Sequence, residues 1–177
     1  MACGKTTLGS ALARAAQVGF VDLDIAIERE AGISIKDIFA NSGELAFRKM
    51  ETDTLHHFAK LSEVQQIIAC GGGTPCHGDN MDFMLRCGTV VWLKADREST
   101  LRRIRLTGDT RPLLAGKSDR ELSRFVDENF ESRKPFYERA HHVFDSSRLE
   151  TVDEVAQSVE LFIDRFKLIR WQQESFM

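Results

Sequence analysis

The chain has 177 residues, 42% hydrophobic and 29% charged, which fits one domain with a sizeable core and excludes a disordered tail or linker. No run approaches the roughly 20 apolar residues of a membrane span, and the N-terminus has no leader-like sequence, so a cytoplasmic protein is expected. The net charge of −3 excludes the global basic field that drives nonspecific nucleic-acid binding.

Apolar patterning alternates helix with strand along the chain. Residues 6–16 are rich in Ala and Leu and predict a helix; residues 18–23 are short, apolar and β-branched and predict a strand. Phe47, Met50, Thr54, Phe58 and Leu61 recur at helical spacing within 44–61, and 64–69 read as a buried strand ending in Gly71-Gly72-Gly73. A strand at 90–93, helices at 99–106 and 119–130, a short strand at 143–144 and an amphipathic helix at 152–168 follow. Short buried strands between helices imply an α/β three-layer sandwich with a central parallel sheet. There is no repeat and no internal boundary, so residues 1–177 are expected to form one domain.

Between the helices at 99–106 and 119–130 lies TGDTRPLLAGKS, residues 107–118, whose Gly108, Pro112 and Gly116 suit a mobile loop. Five arginines (Arg97, Arg102, Arg103, Arg105, Arg111) stand against two acids (Glu98, Asp109) across 97–111, a positive segment suited to polyphosphate. The four cysteines, Cys3, Cys70, Cys76 and Cys87, show no Cys-x-x-Cys pair and read as free thiols.

Chemistry begins at once. Cys3-Gly4-Lys5-Thr6-Thr7 carries Gly-Lys-Thr just before a helix, the second half of a phosphate loop. Gly4 lets backbone amides approach phosphate, Lys5 would bridge the outer phosphates, and Thr6 would offer its hydroxyl to Mg²⁺. The pattern's first glycine and the strand before it would lie ahead of Met1, so an N-terminally shortened form with a half-formed cradle is expected. The plain alternative is a helix start capped by Thr.

Asp22 and Asp24 alternate at a strand end, where α/β sheets place ligands. Asp22 would reach a metal and Asp24 a substrate hydroxyl, with a helix cap as the alternative for Asp24. Arg48 lies on or beside an apolar helical stripe, aimed either at an anionic ligand or at Glu51, three residues on. Gly71, Gly72 and Gly73 bare their amides for an oxygen-rich ligand, or make a tight turn. Arg111 in the loop and Arg133 in Arg133-Lys134-Pro135 after a helix are further cations, each either functional or simply solvated.

In order along residues 1 to about 165, GKTT, VDLD, ISIKDIF, GELAFRKME, IIACGGGTP, TRPLLAG and SRKPFYERA closely resemble shikimate kinase. The resemblance implies a phosphate-loop kinase fold of five parallel strands with a lid at about 106–120. It implies transfer of the ATP γ-phosphate to the 3-hydroxyl of shikimate, in aromatic amino-acid biosynthesis, with Mg²⁺ as cofactor. On that resemblance Cys3, Gly4, Lys5, Thr6 and Thr7 hold ATP, and Thr6 and Asp22 serve the metal. Asp24 holds the substrate hydroxyls, and Arg48, Arg133 and Gly71 to Gly73 line the shikimate carboxylate pocket. Lys5, Asp24 and Arg111 are the catalytic set. Arg111 would cover the transferring phosphate, Arg148 would lie by the adenine, and either Arg103 or Arg105 would touch nucleotide. A monomer without nucleic-acid or membrane partners is expected. The alternatives are another small-molecule kinase, such as a gluconate kinase, and a nucleotide-binding module without catalysis.

Overall fold

Helix α1 (Lys5–Ala16) opens the computed structural model, which describes residues 2–61, 65–107 and 116–167. Its Ala and Leu residues favour helix, and Leu8, Leu12 and Ala16 fall on one inward face at four-residue spacing. Gln17, in the left-handed conformation, ends it by donating its N–H to Ala13 and Arg14 carbonyls. Strand β1 (Gly19–Asp22) then pairs in parallel with β2 (Gln66–Ala69), Phe20 opposite Ile67 and Asp22 opposite Ala69. Between them, α2 (Leu23–Ala31) and α3 (Ile35–Ala59) pack together through Ile27, Ile38 and Phe47. Gly43 (φ 79°, ψ 175°) breaks α3 into two arms, of which the second is the helix expected at 44–61.

Past β2, a 3₁₀ turn (Thr74–Cys76) and α4 (Asn80–Cys87) lead to β3 (Val91–Lys94). Helices α5 (Arg97–Thr107) and α6 (Asp119–Tyr137) connect to β4 (His142–Asp145), and α7 (Val152–Phe166) follows. β3 and β4 pair in parallel, Trp92 opposite Val143. Leu8 and Leu12 of α1 meet Phe144, Leu149 and Phe162, with Ile67 of β2 and Val91 and Leu93 of β3 packed against them. Helices α1 and α7 thus share one apolar core with both strand pairs. Leu101 and Ile104 of α5 meet Leu122 and Val126 of α6 in a second cluster.

Several expectations shift. The strand ends at Asp22 because Asp22 caps α2, its carboxylate accepting the Asp24 and Ile25 N–H groups. Asp24 therefore stands in the first helical turn, not on a strand face shared with Asp22. Helix α6 runs through Pro135 to Tyr137, so Arg133 lies inside it rather than after it. Proline deletes one N–H, but so near the end little is lost, and Glu138 N–H still reaches the Lys134 carbonyl at 2.9 Å. The strands form two separate pairs, and among the described residues β2 and β3 do not bond to each other. The resemblance implies five strands; the described residues hold four. All four cysteines are free. No described helix is long and apolar enough to cross a membrane. Met1, Val64, Leu168 and residues 108–115, with Arg111 and most of the expected lid, lie outside the described residues.

Candidate active site

The C-terminal ends of the strands and the start of α1 meet at one place. Gly4 precedes the helix at φ 80°, a left-handed conformation natural to glycine. No side chain caps α1, so the Thr cap is not what this segment forms. Instead Thr6 Oγ1 donates to Asp22 Oδ2 at 2.6 Å, joining the helix start to the end of β1. Two hard oxygen donors side by side are what Mg²⁺ selects. Lys5 Nζ lies 3.8 Å from Cys3 Sγ. Burial pushes the Cys3 thiol up, yet Lys5 and other nearby positive charge outweigh it and hold the group below its ordinary value. Burial lifts the Cys70 thiol to about 12, against Lys5 and with Glu51, Asp22 and Asp24 adding to the rise. Lys5 and these three acids therefore surround one point just past β2.

On the other side of that point, α3 presents Arg48, whose Nη2 and Nε bond Glu44 Oε1 at 2.9 and 3.2 Å and whose Nη1 bonds Glu51 Oε2 at 2.5 Å. Glu51 is 1% exposed and also accepts from Thr74 Oγ1. The ion-pair reading of Arg48 is thus correct. It does not compete with a ligand-facing one, because the same guanidinium lies against the glycine loop. A Cβ on Gly73 would come 2.5 Å from Arg48 Nη1, and one on Gly71 would come 2.5 Å from Glu51 Oε1 and 3.5 Å from Asp24 Oδ1. These two positions must be bare for the arginine and the acids to close around the loop.

Helix α6 supplies the third wall. Tyr137 donates its hydroxyl to the Gly72 carbonyl at 2.6 Å, and Arg133 bonds Tyr137. Burial lifts the Cys76 thiol, and the positive charges of Arg133 and Arg48 both act to lower it, so both lie within electrostatic reach of that group. Asn80, fully buried, donates to the Thr74 carbonyl and Thr52 Oγ1, fixing the loop to α3. Glu51, Thr74, Asn80 and Tyr137 were not among the expected site residues. For Glu51 the signal was its place on the buried stripe with Phe47, Thr54 and Leu55.

Most of the expected positive segment is neutralised. Arg97 pairs with Asp127, Arg102 with Glu150 and Arg105 with Asp119. Arg103, 11% exposed, pairs with Glu150 at 3.7 Å, donates to the Ser146 and Ser147 carbonyls at 2.9 and 2.7 Å and also acts on Cys3. Of the two arginines left open, Arg103 is the one beside the phosphate loop. Arg148 is 77% exposed and pairs with Glu154 at 3.5 Å, whereas its neighbour Leu149 touches Gly4. Thr7 is exposed in the first turn of α1.

A family model described as shikimate kinase matches residues 1–164. The chain belongs to the shikimate kinase family. It is 41% identical to a shikimate kinase of Phocaeicola vulgatus over 160 residues, 90% of each chain. It is 43% identical to one of Parabacteroides distasonis over 155 residues, 88% of each. Its fold superposes on the crystal structure of the shikimate kinase from Bacteroides thetaiotaomicron with a TM-score of 0.89 at 38% identity, covering 94% of both chains. Another family structure, from Acinetobacter baumannii in complex with shikimate, gives 0.79 at 28% identity, covering 94% of this chain and 89% of that one. Membership in the family accounts for the parallel α/β architecture.

Proposed function

We propose that the chain transfers the γ-phosphate of ATP to the 3-hydroxyl of shikimate, giving shikimate 3-phosphate and ADP for aromatic amino-acid (chorismate) biosynthesis. The observation that carries this reading is the convergence of Arg48 and Arg133 beside Gly71–Gly73, with Asp24 at one edge and Lys5 behind. Two guanidinium groups suit one carboxylate, and an acid suits hydroxyls. The substrate hydroxyl oxygen attacks Pγ, the bond from Pγ to the β-bridging oxygen breaks, and the hydroxyl proton departs. Asp24 orients that hydroxyl. Lys5 and the amides after Gly4 hold the phosphates. Thr6 and Asp22 would hold Mg²⁺, which when bound neutralises charge on the phosphate oxygens. Arg103 supports the nucleotide side, Arg148 lies at its rim, and Arg111 in the lid covers the transferring phosphate. The whole chain acts as one kinase domain.

ADP release measured with shikimate, with gluconate and with neither tests this reading. Turnover with shikimate alone is expected; turnover with gluconate, or the same slow hydrolysis in all three, overturns it. Arg111→Ala should lose on the order of 10³ in turnover while substrate affinity is largely kept. A pure rise in the KM for shikimate would make Arg111 a binding residue instead.

A further inference from the structure

Of the segment SRKPFYERA, Arg133 alone enters the proposed reaction. Tyr137 stands one turn further along α6, on the same side of the helix. Its hydroxyl links two parts of the pocket. It accepts from the Arg133 guanidinium, which can only donate, and gives its own proton to the Gly72 carbonyl at 2.6 Å. Burial lifts the phenol to about 12 against the pull of Arg133, so that proton is present throughout the physiological range. The Cys76 thiol, 3.8 Å from the same carbonyl, is a weaker second donor. The ring is held separately, against Trp92 of β3 with 5.6 Å between centroids.

The glycine run needs an anchor of this kind. Gly72 and Gly73 carry no Cβ, so the peptide between them can turn over at little steric cost. In a trans peptide the carbonyl and the following N–H point opposite ways, and no described peptide bond is cis. A Gly72 carbonyl held toward α6 therefore turns the Gly73 N–H away from α6. Arg48 closes on Gly73 from α3, where a Cβ would come 2.5 Å from Nη1. We propose that Tyr137 is a positioning residue of the carboxylate pocket, whose hydroxyl sets both the pose of Arg133 and the direction of the Gly72–Gly73 peptide. The inference rests on the reading of this pocket as the shikimate site. An arginine already held in one pose loses less side-chain freedom when it binds an anion. The hydroxyl thus acts on the carboxylate end of the substrate, not on the phosphates.

Tyr137→Phe removes the hydroxyl and leaves the ring on Trp92, which makes it the test. In the ligand-free protein the Gly73 amide should exchange at least about fivefold faster than in the wild type, while the amides of α6 keep their rates. The Kd for shikimate by isothermal titration should rise about tenfold, as for loss of a hydrogen bond to a charged group. The KM for shikimate should rise by more than kcat falls, and the KM for ATP should change less than about twofold. In an Arg133→Ala background the same substitution should cost at most about threefold, because the tyrosine then has no guanidinium to hold. An unchanged Gly73 exchange rate, or an equal loss of shikimate affinity with and without Arg133, overturns the proposal. So does a loss of ATP affinity by the same factor, which would mark general damage to the fold. If the wild type binds shikimate and Tyr137→Phe binds it as well, the proposal alone fails; if the wild type binds none, the kinase reading fails and takes the proposal with it.

Discussion

At the residue scale, the decisive groups serve two masters. Arg48 is 12% exposed and neutralises Glu51, which is 1% exposed, so its loss strands a buried carboxylate and, on the proposed function, the ligand carboxylate as well. Removing one partner of a buried pair typically costs about 3–5 kcal/mol of stability, and leaving a buried ligand carboxylate unpaired costs about 2–5 kcal/mol of binding. Arg48→Ala should therefore lower both the melting temperature and shikimate affinity. Arg133→Ala should lower affinity with a smaller loss of stability. Isothermal titration alongside thermal melts separates the two, and unchanged shikimate affinity in Arg133→Ala would remove that residue from the pocket. Arg48→Lys keeps the charge but loses the planar fork, and should also bind poorly.

At the scale of elements, two helix starts carry local signals whose contribution can be measured. Ser118 and Glu121 form a reciprocal capping box at the start of α6, the helix that carries Arg133 and Tyr137. Ser118→Ala should cost about 1 kcal/mol by urea unfolding; no loss would mean that packing of Leu122 and Val126 alone fixes that end. Before α5, the N–H and hydroxyl of Ser99 donate to the Asp96 carboxylate, which holds its pKa down from 3.8 to about 2. A carboxyl depressed on folding stabilises the native state above its unfolded pKa and loses that contribution as pH falls through the folded one. The stability advantage of the wild type over Asp96→Asn should thus be full above about pH 4 and vanish toward pH 2. Melts of the two proteins across pH 2–6 check this, and a constant gap would refute it.

At the scale of the whole molecule, α1 and α7 hold the two strand pairs together through one cluster of Leu8, Leu12, Phe144, Leu149 and Phe162. Because the pairs do not bond each other among the described residues, this cluster carries more of the connection than it would in a continuous sheet. Phe162→Ala should cost about 3–5 kcal/mol and broaden the thermal transition as the pairs uncouple. A loss below about 1 kcal/mol would place the connection elsewhere.

The alternation of helix and strand was legible in the sequence because it depends on local periodicity and on composition, and buried parallel strands are apolar throughout. The glycine that opens α1 and the glycine run after β2 were legible too, since each is marked by its own residues in the chain. The ends of β1 and α6 were not, because a cap at Asp22 and a late proline at Pro135 act through hydrogen bonds that spacing does not reveal. Sequence could list Arg48, Arg133 and the arginines of 97–105 as equals. Only the tertiary structure separated them, burying Arg48 against Glu51, tying Arg103 to the Ser146 and Ser147 carbonyls and pairing Arg97, Arg102 and Arg105 with acids at the surface. A charge has no role until its partners and its solvent are fixed, and those come from residues 14 to 48 positions away as well as from its own helix.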